Sequence, residues 1–218
     1  MMLPTHALWG MVLALPVVWT APEYAGIGLL AGFLGGVFPD LDMYVGHRKT
    51  LHYPVVYTGL AVPAVAVGIF VPSTLTIALA VGLTGAALHS RSDVYGGGLE
   101  LRPWEGTSDR AVYDHYRGRW IGPRRWIGYD GSPSDLALSA VSAVPLLVIT
   151  DGWLEVLVIA SLGIAVVYTA VRRHLPSIGL VVLTDLAERV PGPVVDRLPD
   201  RYRDGIDGEL QATTDGNA

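Results

Sequence analysis

Apolar residues in this chain come in long unbroken runs, and the polar ones gather at the breaks between them. The first run covers Leu3–Thr20 and ends at Ala21-Pro22-Glu23; a shorter, glycine-rich run over 24–38 closes at Pro39-Asp40. No residue from 53 to 88 carries a formal charge, and Val71-Pro72-Ser73-Thr74 divides that stretch in two. A last pair, 136–150 and 153–170, is joined at Asp151-Gly152. A hydrocarbon core takes about 20 apolar residues in helix, with a working range of roughly 17–25. The pattern predicts an all-α, polytopic transmembrane bundle of about six helices, the second and fifth being the shortest. The one large loop, 90–134, is rich in Gly, Arg, Tyr and Trp and reads as a cytoplasmic cap over the inner face. After Arg172-Arg173, the residues Leu180, Leu183, Leu186 or Ala187 and Val190 recur at helical spacing, which predicts an amphipathic surface helix over 177–190. Beyond Pro191 the chain turns polar and acidic, and disorder is expected there. Two regions result: a membrane bundle with its cap over 1–172, and the surface helix with the tail over 173–218.

Composition agrees with this division. Only 16% of the 218 residues are charged, against about 25% in a soluble domain. Cysteine is absent, which excludes disulfides and thiolate metal sites, so any metal must be held by imidazole and carboxylate. Lys49 is the one lysine beside fourteen arginines, and acidic residues are in excess, a halophile-like bias. The first run lacks a basic leader and an A-x-A-like cleavage site, so it reads as a retained helix rather than a signal peptide.

With six helices and an inside N-terminus, the outer links fall near 21–23, 71–74 and 151–152, and none holds Lys or Arg. The basic residues lie at 48–49 (two), between 91 and 125 (seven) and from 172 onward (six), which is all fifteen on one side. By the positive-inside rule both termini are cytoplasmic and the chain sits multi-pass in the cell (inner) membrane.

That topology gathers the chemistry at one face. His6 opens the first helix; Pro39-Asp40-Leu41-Asp42 ends the second; His47-Arg48-Lys49-Thr50-Leu51-His52 precedes the third; His89-Ser90-Arg91-Ser92-Asp93 ends the fourth. His6, Asp40, Asp42, His47, His52, His89 and Asp93 are therefore the candidate ligands. Imidazole with carboxylate suits a divalent ion, zinc first and manganese second. Seven candidates exceed the needs of one tetrahedral ion, so a pair of ions roughly 3.5–4 Å apart is a further expectation. His89 and Asp93, four apart, share a helix face if the fourth helix continues to Asp93. Each element also has a plainer reading: a helix-ending turn with solvated acids for Asp40 and Asp42, a basic headgroup-facing loop for His47.

The loop holds secondary candidates for a general base or an extra ligand in Glu100, Glu105, Asp109, Asp114 and His115, and for phosphate contact in Arg91 and Arg102. Trp120 and Trp126 read as interfacial anchors. Gly96-Gly97-Gly98 follows no strand pattern and reads as a flexible turn, and there is no phosphate loop, nucleophile elbow or dinucleotide fingerprint.

Thr5-His6, Gly35-Gly36-Val37-Phe38-Pro39-Asp40-Leu41-Asp42, His47-Arg48-Lys49-Thr50-Leu51-His52, His89-x-x-x-Asp93 and Leu101-Arg102-Pro103-Trp104 together resemble the YdjM-like proteins, over roughly residues 1–105. That family is described as LexA-binding, inner-membrane-associated, metal-dependent hydrolases. Tyr53 stands where the family has Ser, and Ser90-Arg91-Ser92 where it is mostly apolar. The resemblance implies hydrolysis and a cytosolic protein partner.

The reading that results is a membrane-bound metal-dependent hydrolase acting on an ester or phosphoester of an amphiphile at the cytoplasmic face. Its partners would be the lipid bilayer and a lipid or phosphoester substrate; direct nucleic-acid binding is not expected. Arg48 would neutralise developing negative charge beside Asp40. The alternative is a non-catalytic membrane scaffold or a metal-binding or transport protein. Transport fits less well, because the third to sixth helices hold few central polar groups besides Ser and Thr.

Overall fold

The computed structural model of the chain describes residues 1–43, 45–187, 189 and 202–203. Each of the six apolar runs is helical, but the first is broken. A turn at Leu13-Ala14 separates α1 (Leu3–Val12) from α2 (Leu15–Thr20). Pro16 accounts for the break: it has no N–H to give, and its ring crowds the carbonyl four residues earlier, at Val12. The other runs become α3 (Ala25–Val37), α4 (Pro54–Phe70), α5 (Thr74–Ser92), α6 (Pro133–Ile149) and α7 (Gly152–Val171). A helix, α8 (Leu175–Ala187), occupies most of the stretch expected to form the surface helix, and Val190 of that stretch lies outside the described residues. The acidic tail expected to be disordered lies outside the described residues, except 202–203.

The helix ends follow from local chemistry. Ser73, just after Pro72, starts α5 with a reciprocal cap: Thr76 N–H donates to Ser73 Oγ at 3.2 Å, and Ser73 N–H to Thr76 Oγ1 at 2.9 Å. Ser132 caps α6 by accepting from Asp135 N–H, with Pro133 at the first helical position.

Helix α3 lies between α1 and α5; α5 also packs on α4, and α1 on α6 and α7. The α1–α3–α5 layer is tight because glycines line it. A methyl group at Gly36 would strike the His6 carbonyl, and one at Gly35 the backbone of Gly82. This close approach sets the start of α1 against the end of α3. The apolar core below is built from Leu8, Met11, Leu29, Ile77, Val81, Leu146 and Val158.

Outside that core the helices present large apolar side chains to the surroundings, among them Phe70, Leu75, Val148, Ile164 and Val167. Three segments, Leu3–Thr20, Pro22–Asp42 and Gly152–Val171, are long and apolar enough to cross a membrane, and Pro54–Phe70 and Pro133–Ile149 are apolar but shorter.

The loop between α5 and α6 is ordered around a small antiparallel hairpin, β1 (Val112–Asp114) with β2 (Arg119–Ile121), in which Tyr113 pairs with Trp120. The hairpin sits on the segment before α4: Tyr113 N–H donates to the Arg48 carbonyl at 3.0 Å, and His115 Nε2 to the Lys49 carbonyl at 2.6 Å. The far end of the loop is tied to the end of α7, where the C-cap residue Arg172 donates from Nε to Asp130 Oδ2 at 2.8 Å beside the Tyr168 hydroxyl. The expected cap is thus a packed layer. Gly96, Gly97 and Gly98, expected to be a flexible turn, are buried in it.

Candidate metal centre

Four helix ends meet under the cap. His6 lies on the first turn of α1, Asp40 and Asp42 on the 3₁₀ turn Phe38–Asp42 after α3, His52 just before α4, and His89 on the last turn of α5. α5 runs through Ser92, so Asp93 is its C-cap and shares a face with His89, as the spacing of four predicts. Ser90 and Ser92, polar where an apolar helix end would be expected, are both buried.

Asp40, His52, His89 and Asp93 each bring one ligand atom into a group whose members all lie within 4.8 Å of one another. The separations are informative. His52 Nε2 is 3.2 Å from His89 Nε2, 3.6 Å from Asp40 Oδ1 and 3.4 Å from Asp93 Oδ2. His89 Nε2 is 3.3 Å from Asp40 Oδ1 and 3.6 Å from Asp93 Oδ2. Four donors held tetrahedrally at about 2.0–2.1 Å from one ion stand about 3.3–3.4 Å apart. Five edges of the group lie within a few tenths of an ångström of that value.

In their neutral form, both rings of the group also turn a lone pair toward it. His89 Nδ1 is 2.6 Å from the Gly36 carbonyl, which can only accept, so Nδ1 carries the hydrogen and Nε2 presents its lone pair. His52 Nδ1 is 3.0 Å from Asp42 Oδ2, so it too donates and leaves Nε2 bare. Two imidazole lone pairs and two carboxylate oxygens then face one another in a buried space. A proton on one ring would satisfy one pair; a divalent ion satisfies all four atoms at once.

Of the seven candidate ligands, the structure brings four into this group and places three around it. Asp42 is occupied in full: Oδ1 accepts from His47 Nδ1 at 3.1 Å and Arg48 N–H at 3.3 Å, and Oδ2 from Leu51 N–H at 2.9 Å as well as from His52. It fixes the rings of two histidines and their tautomers. His47 is therefore one step out, held by Asp42 and 3.9 Å from Asp40 Oδ1. His6 stacks on His89 with ring centres 3.6 Å apart, and its Nε2 lies 3.0 Å from Asp93 Oδ1. That same oxygen accepts from the Met1 ammonium at 2.8 Å, which leaves Oδ2 for the ligand group. Among the described residues this is the one group of its kind, and it has the size for a single ion.

Arg48 completes the site. Its backbone is left-handed, with φ of 60°, a conformation costing a non-glycine residue about 1–3 kcal/mol. The strain is held from both sides, by Arg48 N–H on Asp42 and by Tyr113 N–H on the Arg48 carbonyl. The result is a buried guanidinium whose Nη1 donates to the Gly97 carbonyl at 2.7 Å and whose Nε stands 3.4 Å from Asp93 Oδ2 without a hydrogen bond. Burial opposes the charge of Arg48, but the carboxylates of Asp93, Asp130, Asp40 and Glu100 together outweigh it and raise the guanidinium pKa. Burial alone would raise Asp93, yet Arg48 and the Met1 ammonium hold its carboxyl well below the usual carboxylate range. Burial pushes the His47 imidazole down, with Asp42 pulling the other way.

Burial also shows where the centre is open. The side chains of His52, His89 and Asp93 are 0–1% exposed, whereas Asp40 is 15% and His47 18% exposed.

The loop candidates do not reach the group. Asp114 accepts from the backbone of Tyr116 and Arg117, and His115 is spent on Lys49. Glu105 pairs with Arg102, Asp109 is exposed, and Glu100 is buried in the cap with Arg125 at 3.8 Å. Arg91 reaches Thr58 rather than the centre. Sequence reasoning missed the Gly36 and Gly97 carbonyls, which have no side-chain signature. It also missed Asp135, which takes Met2 N–H at 2.7 Å and the Thr5 hydroxyl at 2.7 Å and so pins the start of α1 to α6. The Ser132-Pro133-Ser134-Asp135 cap pattern was the available signal for that residue. No family model, no curated protein and no solved structure matches this chain.

Proposed function

We propose that this chain is a multi-pass membrane hydrolase using one divalent ion, with its centre at the cytoplasmic face and both termini on that side. The observation that carries the reading is the close, buried set of Asp40, His52, His89 and Asp93, whose two rings each engage Nδ1 elsewhere and turn Nε2 to the group. Two imidazoles and two carboxylates at that spacing favour zinc, with manganese second. The six-helix crossing is supported by the outward apolar side chains and by the one-sided distribution of basic residues. The YdjM-like motifs, which supply most of the residues at the centre, point to the same reaction class and to a cytosolic partner.

With four protein ligands around it, a divalent ion there would take a water only as a fifth ligand or in place of Asp40, and would then activate that water at neutral pH and polarise an ester or phosphoryl oxygen. The chain supplies the rest. Asp40, the one ligand open to the outside, is placed to take a proton from the attacking water. Arg48 is set beside the ligand group to meet charge building on the cleaved group. A scaffold would need neither a strained arginine nor four potential ligand atoms gathered in a buried space.

Turnover tests this directly. The metal-loaded protein is expected to hydrolyse amphiphilic phosphoesters or carboxylic esters, Asp40→Asn to lose the activity, and Arg48→Lys to lose about 10²-fold with its metal content unchanged. A metal-loaded protein inert toward both substrate classes would favour the scaffold.

A further inference from the structure

The way into the centre is as distinctive as the centre itself. Its water-side approach is covered, because the hairpin of the cap is bonded to the backbone of Arg48 and Lys49, and Gly97 lies over the guanidinium. The open side is that of Asp40 and His47, and the rim there is apolar. Leu41 is 65% and Val45 72% exposed, and Phe38 is also exposed. Leu34, Phe38 and Leu41 follow at spacings of four and three, which puts them on one face running from α3 into the 3₁₀ turn that carries Asp40. At the other side of the centre, Val55 and Val56 continue the exposed apolar surface into α4 just after His52. A polar, water-borne substrate gains nothing from such a rim. An occupant with hydrocarbon on one end and an anion on the other matches both parts: apolar face outside, cation site and buried guanidinium inside.

We infer that the centre opens sideways into the inner leaflet and takes the phosphate of a lipid headgroup, whose acyl chains lie along Leu34, Phe38 and Leu41. The phosphate reaches the ion past Asp40, and the unbonded Arg48 Nε lies next to where it arrives. Lipid diffusing in the plane of the membrane needs no opening of the cap. The ligand half of this inference rests on the hydrolase reading, but the position of the rim does not.

The absence of cysteine makes the rim simple to probe. The full chain carrying Leu41→Cys, and separately Val45→Cys, is labelled with a nitroxide and placed in phosphatidylcholine vesicles. Val67→Cys on the outward face of α4 and Tyr116→Cys on the cap serve as apolar and aqueous references. Labels at 41 and 45 should be open to oxygen and shielded from a water-soluble nickel complex, as at 67. Labels that behave as at 116 overturn the inference, as do labels broadened by spin–spin contact, which would make the rim a contact between two copies of the chain.

A second arm tests the ligand with the cobalt-loaded protein. Phosphatidic acid in the vesicles should shift the cobalt visible spectrum at concentrations where inorganic phosphate does not. Leu41→Gln should weaken the lipid response about tenfold or more and leave the phosphate response intact, since it removes an apolar contact and adds no charge. Equal responses to lipid and phosphate, unchanged by Leu41→Gln, overturn it. Failure to bind cobalt at all strikes the hydrolase reading and the lipid ligand together, and leaves the label result to decide the rim.

Discussion

Asp40 and Asp42 are the same residue type two positions apart, and their roles divide completely. Asp40 turns one oxygen into the ligand group, while Asp42 spends both of its oxygens on two histidines and two backbone N–H groups. Both acids and all four histidines of the site are legible in the sequence as one cluster, because helix ends and charge place them at a common face. Which of them touches an ion is not, since that depends on a few ångströms of turn geometry and on the Gly36 carbonyl. The division makes a sharp prediction. Asp42→Asn keeps every ligand but weakens the hold on the His52 ring, so metal affinity should fall by about 10–100-fold without vanishing. Competition with a chelator measures it. Complete loss of binding would make Asp42 itself a ligand, and no loss would remove it from the site.

At the scale of elements, apolar runs located the helices, but not the interruption of the first. Pro16 carries that signal in the sequence; a run of apolar residues long enough to span masks it. The hairpin in the cap was also hidden, for its strands are only three residues each and Gly118, with φ of 62°, is the main turn signal. The strut between cap and bundle is a separate case. Tyr168 on α7 and Arg172 at its C-cap hold Asp130, and although burial pushes that carboxyl up, Arg172, the Tyr168 hydroxyl and the N-terminal charge together leave it lowered. A carboxyl depressed by folding adds stability above its ordinary range and loses it as pH falls through the folded value. Asp130→Asn should therefore lower the melting temperature at neutral pH, and its deficit against the wild type should close as pH falls below about 4. A deficit that stays constant with pH would assign the strut to packing instead.

For the molecule as a whole, the hairpin α4–α5 sets the frame. α4 leaves the centre at His52 and α5 returns to it at His89, so the turn after Phe70 is at the far end. The 19 residues of α5 make a helix about 28 Å long, although it is not among the three segments that are both long and apolar enough to cross a membrane. Every basic residue of the sequence falls on the side of the centre in the six-helix scheme. Glycine packing between α1, α3 and α5 brings the polar ends together, and the cap closes over them. In this arrangement the fold gathers four potential ligand atoms around a point. The most direct test is metal content with X-ray absorption on the purified full chain, beside His89→Ala. The wild type should take up one divalent ion per chain, with nitrogen and oxygen neighbours at about 2.0–2.1 Å, and His89→Ala should lose it. A wild-type chain that stays ion-free under zinc and manganese titration, or binding that His89→Ala leaves untouched, would contradict the account.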